Sequence, residues 1–365
     1  MRKIGVTIIF LIFILSMGMA KDKSIGVFVS LNEEHAFWKS VRSFMEAVAS
    51  DLKINLRWDY ADNNQIKASN DIEKETSGAN PIDAALIVNF KQQGESFFTA
   101  LDKKKMPTII HVVGADHNVS GKPREKHKSW IAEIVVDEEK VGYELAKRLI
   151  NDAEKKGLKS SDGKIHIIAI SGLVSDLLSQ QRETGMLKAI NEKSNLVKFE
   201  QIVSTVDWST REGHDKFIHV IERYPSISVV WCANDDIALG VVKGIREIGK
   251  LPGKDIVTGG IDWVPEALQL VKKGEMVCSI GGLSWHGGWA TILFYDYLNG
   301  KDFINDTTVT VETQPEVLSQ ENVDTFLKVF GDGNWEKVDF KKFSKTLNPK
   351  LKKYDFSLKN LMNSL

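Results

Sequence analysis

One rhythm constrains this chain more than any single motif. From Ser24 onward, short apolar runs alternate with segments whose apolar residues fall three and four apart, and the whole series occurs twice. Ile25 to Val29 reads as the first strand, and Phe37, Val41, Phe44 and Val48, flanked by Trp38 and Met45, form the first helical stripe. Leu56 to Tyr60, Ala84 to Val88 and Thr108 to Val113 read as strands, with helices around Ile66 to Ile72 and Phe97 to Leu101. Ile131 to Val136 is a fifth strand, ending at Asp137, which caps a helix over Val141 to Ile150. Runs that are apolar throughout belong to strands buried on both faces, the condition of a parallel sheet covered by helices.

After a hydrophilic joint at Gly157 to Gly163, the strands are Ile165 to Ile170, Phe199 to Val203, Val229 to Ala233, Ile256 to Ile261 and Met276 to Ile280. Helices begin near Gln180, Thr210, Asp236, Val264 and Ser284. A chain of 365 residues is too long for one core. Two βα series of similar size predict an α/β fold of two doubly wound, Rossmann-like lobes, with a ligand cleft at the carboxyl ends of the strands. The helix Trp289 to Leu298 and the strand Thr308 to Val311 cross back to the first lobe. The expected division is residues 21–137 plus about 284–312 for the N-terminal lobe, 138–283 plus about 313–330 for the C-terminal lobe, a multi-strand hinge, and a C-terminal extension over 331–365. That extension carries Lys341-Lys342-Phe343 and Lys352-Lys353-Tyr354, and two readings are open for it: packing across the lobes or fraying. Gly114 to Ser129 is polar and contains Pro123, and reads as a surface excursion.

Residues Met1 to Ala20 lie outside this rhythm. Arg2 and Lys3 precede an apolar run from Ile4 to Met17, and Gly18-Met19-Ala20 sets small residues before a cut at Lys21. This is the pattern of a cleaved export signal, so the expected location is the periplasm. Cleavage takes the net charge from -1 to -3 (-1 - 2). So even a balance excludes the basic footprint of a nucleic-acid binder. Cys232 and Cys278 fall in buried strands; two free thiols are expected, a disulfide being the alternative if the side chains face each other.

Enzyme signatures are absent: no phosphate loop, no GxGxxG after a strand and no HExxH. Gly282-Leu283-Ser284-Trp285-His286 has His where the hydrolase elbow needs its last Gly. His111, His166 and His219 stand without a second ligand at metal spacing and read as structural. The expectation is a binding protein with no cofactor and no metal. What recurs is aromatic and polar residues just past strand ends: His35-Ala36-Phe37-Trp38, Asp207-Trp208-Ser209, Asp262-Trp263 and Ser284-Trp285. To these is added the run Asn234-Asp235-Asp236. Sugars present apolar C–H faces and a rim of hydroxyls, and are held by aromatic plates with amides and carboxylates at the edge.

With those residues in view, the chain to about Phe330 resembles a type I periplasmic solute-binding protein of the ribose and galactose kind. Phe37-Trp38, Arg182-Glu183-Thr184-Gly185, Asp207-Trp208, Asn234 to Gly240 and Gly260-Ile261-Asp262 carry the resemblance in order and spacing. It implies that Phe37, Trp38 and Trp208 stack on the ligand, that Asn234 and Asp262 bind its hydroxyls, that Asp235 supports the loop and that Asp236 caps the helix. His35 stands at the family's asparagine position, Gln180 replaces a ligand arginine, Arg182 fits a structural arginine, and Gly282 replaces a glutamine. Val112-Val113-Gly114 stand where an Asp-Arg pair is expected. The pocket implied is less charged and more aromatic, with Trp263 beside it. The ligand would be a sugar or sugar-like small molecule captured by hinge closure. The partner would be either the membrane permease of an ABC importer or a membrane sensor protein such as a kinase, as in the quorum-signal-binding branch.

Overall fold

The computed structural model describes residues 23–304 and 308–365; the export signal read at Met1–Ala20 lies outside the described residues. The first series builds β1 (Lys23–Val29), α1 (Ala36–Leu52), β2 (Ile54–Tyr60), α2 (Gln65–Thr76), β3 (Ala84–Ile87), α3 (Gly94–Lys103), β4 (Thr108–His111), a single turn α4 (His117–Ser120) and β5 (Trp130–Val136). The second builds α5 (Glu138–Lys155), β6 (Ile165–Ser171), α6 (Leu177–Glu192), β7 (Val197–Ser204), α7 (Thr210–Arg223), β8 (Ile227–Cys232), α8 (Asp235–Glu247), β9 (Val257–Ile261), α9 (Pro265–Lys273) and β10 (Cys278–Gly281). There follow α10 (His286–Leu298), β11 (Thr310–Thr313), β12 (Glu316–Ser319), α11 (Val323–Phe330) and α12 (Leu358–Met362).

The strands form two six-stranded sheets. One runs β2-β1-β3-β4-β5-β11, every pair parallel. The other runs β7-β6-β8-β9-β10-β12, parallel except for β12 on β10. Both have the doubly wound order in which ligands meet the carboxyl ends of the strands. All six residues of β8 are buried, as a central parallel strand requires. The chain passes between the sheets three times: from β5 to α5, from β10 to α10, and from β11 to β12.

Local chemistry sets the ends of the helices that matter. Asp137 accepts from Lys140 N at 2.9 Å, so α5 starts at Glu138. Helix α6 starts at Leu177, a turn earlier than the sequence reading near Gln180, because Asp176 is the extended residue before it. Helices α5 and α6 approach backbone to backbone: a Cβ on Gly185 would stand 1.8 Å from the Glu139 carbonyl oxygen, and one on Gly142 would stand 2.0 Å from that of Arg182. Only glycine permits this spacing, and it carries Arg182 to Glu138.

The excursion at 114–129 is pinned to the surface. Arg124 forks onto Asp302 at 2.7 and 2.9 Å, and His127 meets Glu95 at 3.0 Å. The segment after Phe330 packs. Trp335 stacks on Phe330 at 4.7 Å and stands edge-on to Phe44 at 5.1 Å. Buried Asp296 of α10 accepts from Ser344 Oγ, Lys345 N, Thr346 N and Tyr354 Oη, at 2.6, 2.7, 2.9 and 2.8 Å. Cys232 and Cys278 are both free and buried, and burial pushes each thiol up to about 12. Among the described residues, no helix is long and apolar enough to cross a membrane.

Candidate functional site

Between the lobes, where the strands of both sheets end, lies a cavity of about 80 Å³. One wall comes from the first sheet: Ser30 and Leu31 after β1, His35, Phe37 and Trp38 at the start of α1, and Val112 and Val113 after β4. The opposite wall is Asp176, Leu178 and Arg182 around the start of α6, Trp208 after β7, Asn234 after β8 and Asp262 after β9. At roughly 10–15 Å³ per enclosed water, the cavity holds about half a dozen waters, the space of one small ring.

The first wall is aromatic and uncharged. Phe37 and Trp38 meet edge to face at 5.1 Å, and Trp38 stands against His111 at 5.9 Å. Burial pulls His35 down to about 4, with Asp207 opposing, so the imidazole is neutral at pH 7. Neither of its ring nitrogens has a hydrogen-bond partner among the described residues, and Nε2 lies 3.9 Å from Asp236 across the cleft.

The second wall is polar. Trp208 lies flat over Gly172, where a Cβ would come within 2.1 Å of the indole. Its Nε1 donates to Asp176 at 3.4 Å, and burial pushes the Asp176 carboxyl up to about 6. Asp262 is buried, which raises it well above the usual carboxylate range against the pull of Arg182. Arg182 is itself buried and donates to Glu138 and to the Ala233 carbonyl oxygen, both at 2.6 Å. Three wall residues hold left-handed backbone without being glycine: Val112 at φ 62°, Trp208 at 61° and Asp262 at 122°. Each such conformation costs about 1–3 kcal/mol and persists only where the surroundings over-determine it. Their convergence on one cavity makes it the candidate functional region.

Of the sequence-selected residues, His35, Phe37, Trp38, Trp208, Asn234 and Asp262 line this cavity. Asn234 is not free to turn: its Oδ1 accepts from Ile237 N at 2.9 Å, making it the cap of α8, while its Nδ2 reaches the Trp208 carbonyl oxygen at 3.3 Å. The expected cap, Asp236, is instead the second residue of α8 and leaves its Oδ2 unpartnered toward His35. Three further candidates do not line the cavity; Asp235 is the loop support that was expected, while Gln180 and Trp263 are corrected. Asp235 is fully buried beneath the loop, accepting from Ser279 Oγ at 2.8 Å and Val264 N at 2.9 Å. Gln180 sits one turn into α6 on the surface, its amide given to the Val174 carbonyl at 2.9 Å. Trp263 turns away behind the hinge, donating to the Ser279 carbonyl oxygen at 3.1 Å and packing edge-on to Trp285 at 5.3 Å. Sequence reasoning missed Asp176; its place directly before an apolar helix start, an N-cap position, was the available signal.

A model of the periplasmic binding protein domain matches residues 25–302. The chain belongs to the periplasmic binding protein family. Among curated relatives of this periplasmic binding protein, the D-allose-binding periplasmic protein of Escherichia coli is 28% identical over 174 residues, 47% of this chain and 52% of that one, so the chain spans about half its length. The ribose import binding protein of Salmonella typhimurium is 22% identical over 73% of this chain and 80% of its own. The crystal structure of a periplasmic sugar-binding protein from Pseudomonas fluorescens superposes with a TM-score of 0.82 at 26% identity, covering 93% of this chain and 99% of that one. The two-lobed fold is therefore that of type I periplasmic binding proteins.

Proposed function

We propose that this protein captures a sugar or sugar-like small molecule in the periplasm and delivers it to the membrane permease of an ABC-type importer. The observation that carries the reading is the cavity itself, with an aromatic, uncharged wall facing a wall of carboxylates, an amide and one indole plate. A ring enclosed there would rest its C–H faces on Phe37, Trp38 and Trp208. Its hydroxyls would donate to Asp176 and Asp262, each such bond to a charged group contributing about 1.5–3 kcal/mol. Relatives named for binding allose and importing ribose support the ligand class and the importer partner. Because each lobe supplies half of the contacts, ligand favours the closed arrangement, and the three crossings between the sheets serve as the hinge. No step of covalent chemistry is assigned to these residues.

Titration of the purified protein with D-ribose, D-allose and D-galactose, followed by tryptophan fluorescence, tests the reading. Saturable quenching or enhancement that disappears in Trp208→Ala supports it. Absence of binding to any sugar, together with tight binding of an amino acid or other non-sugar, sinks it.

A further inference from the structure

The ring-sized cavity does not end at its own walls. Val112, Val113 and Leu178 are shared with a second chamber of about 400 Å³ in the same interlobe cleft, toward the edge of the first sheet. The second chamber has a different chemistry. No aromatic residue, lysine or arginine lines it; its polar lining includes Asp116, His117, Glu133 and Glu138. Glu133 is 1% exposed, and its Oε1 accepts from His117 Nε2 at 2.8 Å and from Thr310 Oγ1 at 2.6 Å. Glu138 is 5% exposed; Arg182 occupies its Oε2 at 2.6 Å, and its Oε1 has no partner among the described residues.

A buried carboxylate oxygen without a donor is costly, on the order of 1–3 kcal/mol or more. Glu138 Oε1 is such an atom beside this chamber, with the buried Glu133 carboxylate lining the same space, and it is a standing demand for a hydrogen-bond donor from a guest. The size of the chamber says how large that guest is. The first cavity holds one ring, and the second has several times its volume. Its carboxylates and lack of lining cations repel uronic acids and sugar phosphates and favour hydroxyl or amino groups.

The geometry points to a two-ring ligand: a disaccharide with one ring between the Trp38 and Trp208 walls and a hydroxyl-rich second ring against Glu133 and Glu138. This rests on the sugar-binding reading and extends it by one subsite. The Val112 backbone, held left-handed at φ 62°, turns the chain at the threshold between the two chambers. The excursion that reads from sequence as a plain surface loop thus supplies, through Asp116 and His117, part of the second subsite's wall.

Calorimetric titration with three monosaccharides (D-galactose, D-allose, D-ribose) and four disaccharides (lactose, melibiose, maltose, trehalose) tests it in wild type, Glu133→Gln and Gln181→Trp. Gln181 also lines only the second chamber, so the bulky replacement fills that space from an accessible helix position and does not disturb buried bonds. The expected result is one disaccharide binding at least tenfold more tightly than every monosaccharide. Both variants should lose that advantage and keep monosaccharide affinity within twofold. A monosaccharide that binds as tightly as any disaccharide overturns the second subsite and leaves the sugar reading standing, as does a disaccharide indifferent to both variants. If none of the seven sugars binds and an amino acid or other non-sugar binds tightly, both readings fall together.

Discussion

The two walls of the cleft are built on sheets of the same winding and differ in almost everything else. The wall on the first sheet is apolar and neutral: Phe37 and Trp38 supply area, and His35 is kept uncharged by burial. The wall on the second sheet concentrates ionisable groups, with Asp176, Arg182 and Asp262 lining the cavity and Glu138 and Asp236 at its margins. A similar scaffold thus places two aromatic plates in an uncharged wall on one side, and a hydrogen-bonding rim with one indole, Trp208, on the other. The lesson is that the fold decides where a site lies, and a few residues past each strand decide what each half contributes.

The contrast can be broken from the charged side. Arg182→Met leaves Glu138 buried without its cation, and loss of about 3–5 kcal/mol of stability is expected in urea unfolding. Asp262→Asn keeps the shape and replaces one carboxyl oxygen with an amide donor. Sugar affinity should fall roughly 10- to 100-fold, corresponding to about 1.5–3 kcal/mol, with little change in melting temperature. Acid separates the walls more gently. Asp176 sits near 6, so lowering the pH from 7 to 5 protonates it and removes an anionic acceptor, whereas His35, near 4, stays mostly neutral over that range. Affinity should therefore drop several-fold as pH falls through 6, and Asp176→Asn should flatten the profile. The smallest effect is expected at Gln180→Ala. Its surface position predicts sugar affinity unchanged within twofold and stability within about 0.5 kcal/mol.

The alternation of strands and helices was legible because buried parallel strands must be apolar on both faces, and β8 and β6 have no other way to be written. The aromatic half of the cavity was legible for a similar reason: Phe37 and Trp38 open a helix directly after a strand end. What failed was direction. Asp262 and Trp263 both adopt left-handed backbone, which sends the carboxyl into the cleft and the indole behind the hinge, and adjacent letters carry no trace of that turn. Gln180 and Asp176 were exchanged because α6 begins one turn earlier than its apolar pattern suggested; four residues along a helix start is the difference between cleft and solvent. The cap of α8 fell to Asn234 rather than Asp236 because amide and carboxylate are equally good caps, and packing chose between them.

The edge that similarity draws and the edge that physics draws do not coincide here. The family match stops at residue 302, yet β11 and β12 close one border of each sheet, and the four donors that satisfy Asp296 all come from 344–354. A fragment trimmed to the matched segment would keep every cavity-lining residue and lose both border strands. It would also strand a buried carboxylate in α10 and bare the aromatic faces of Phe44 and Trp289 that Trp335, Phe340 and Phe356 cover. The extent of the packed unit is set by where donors and rings find their mates, and for this chain those mates reach to Phe356.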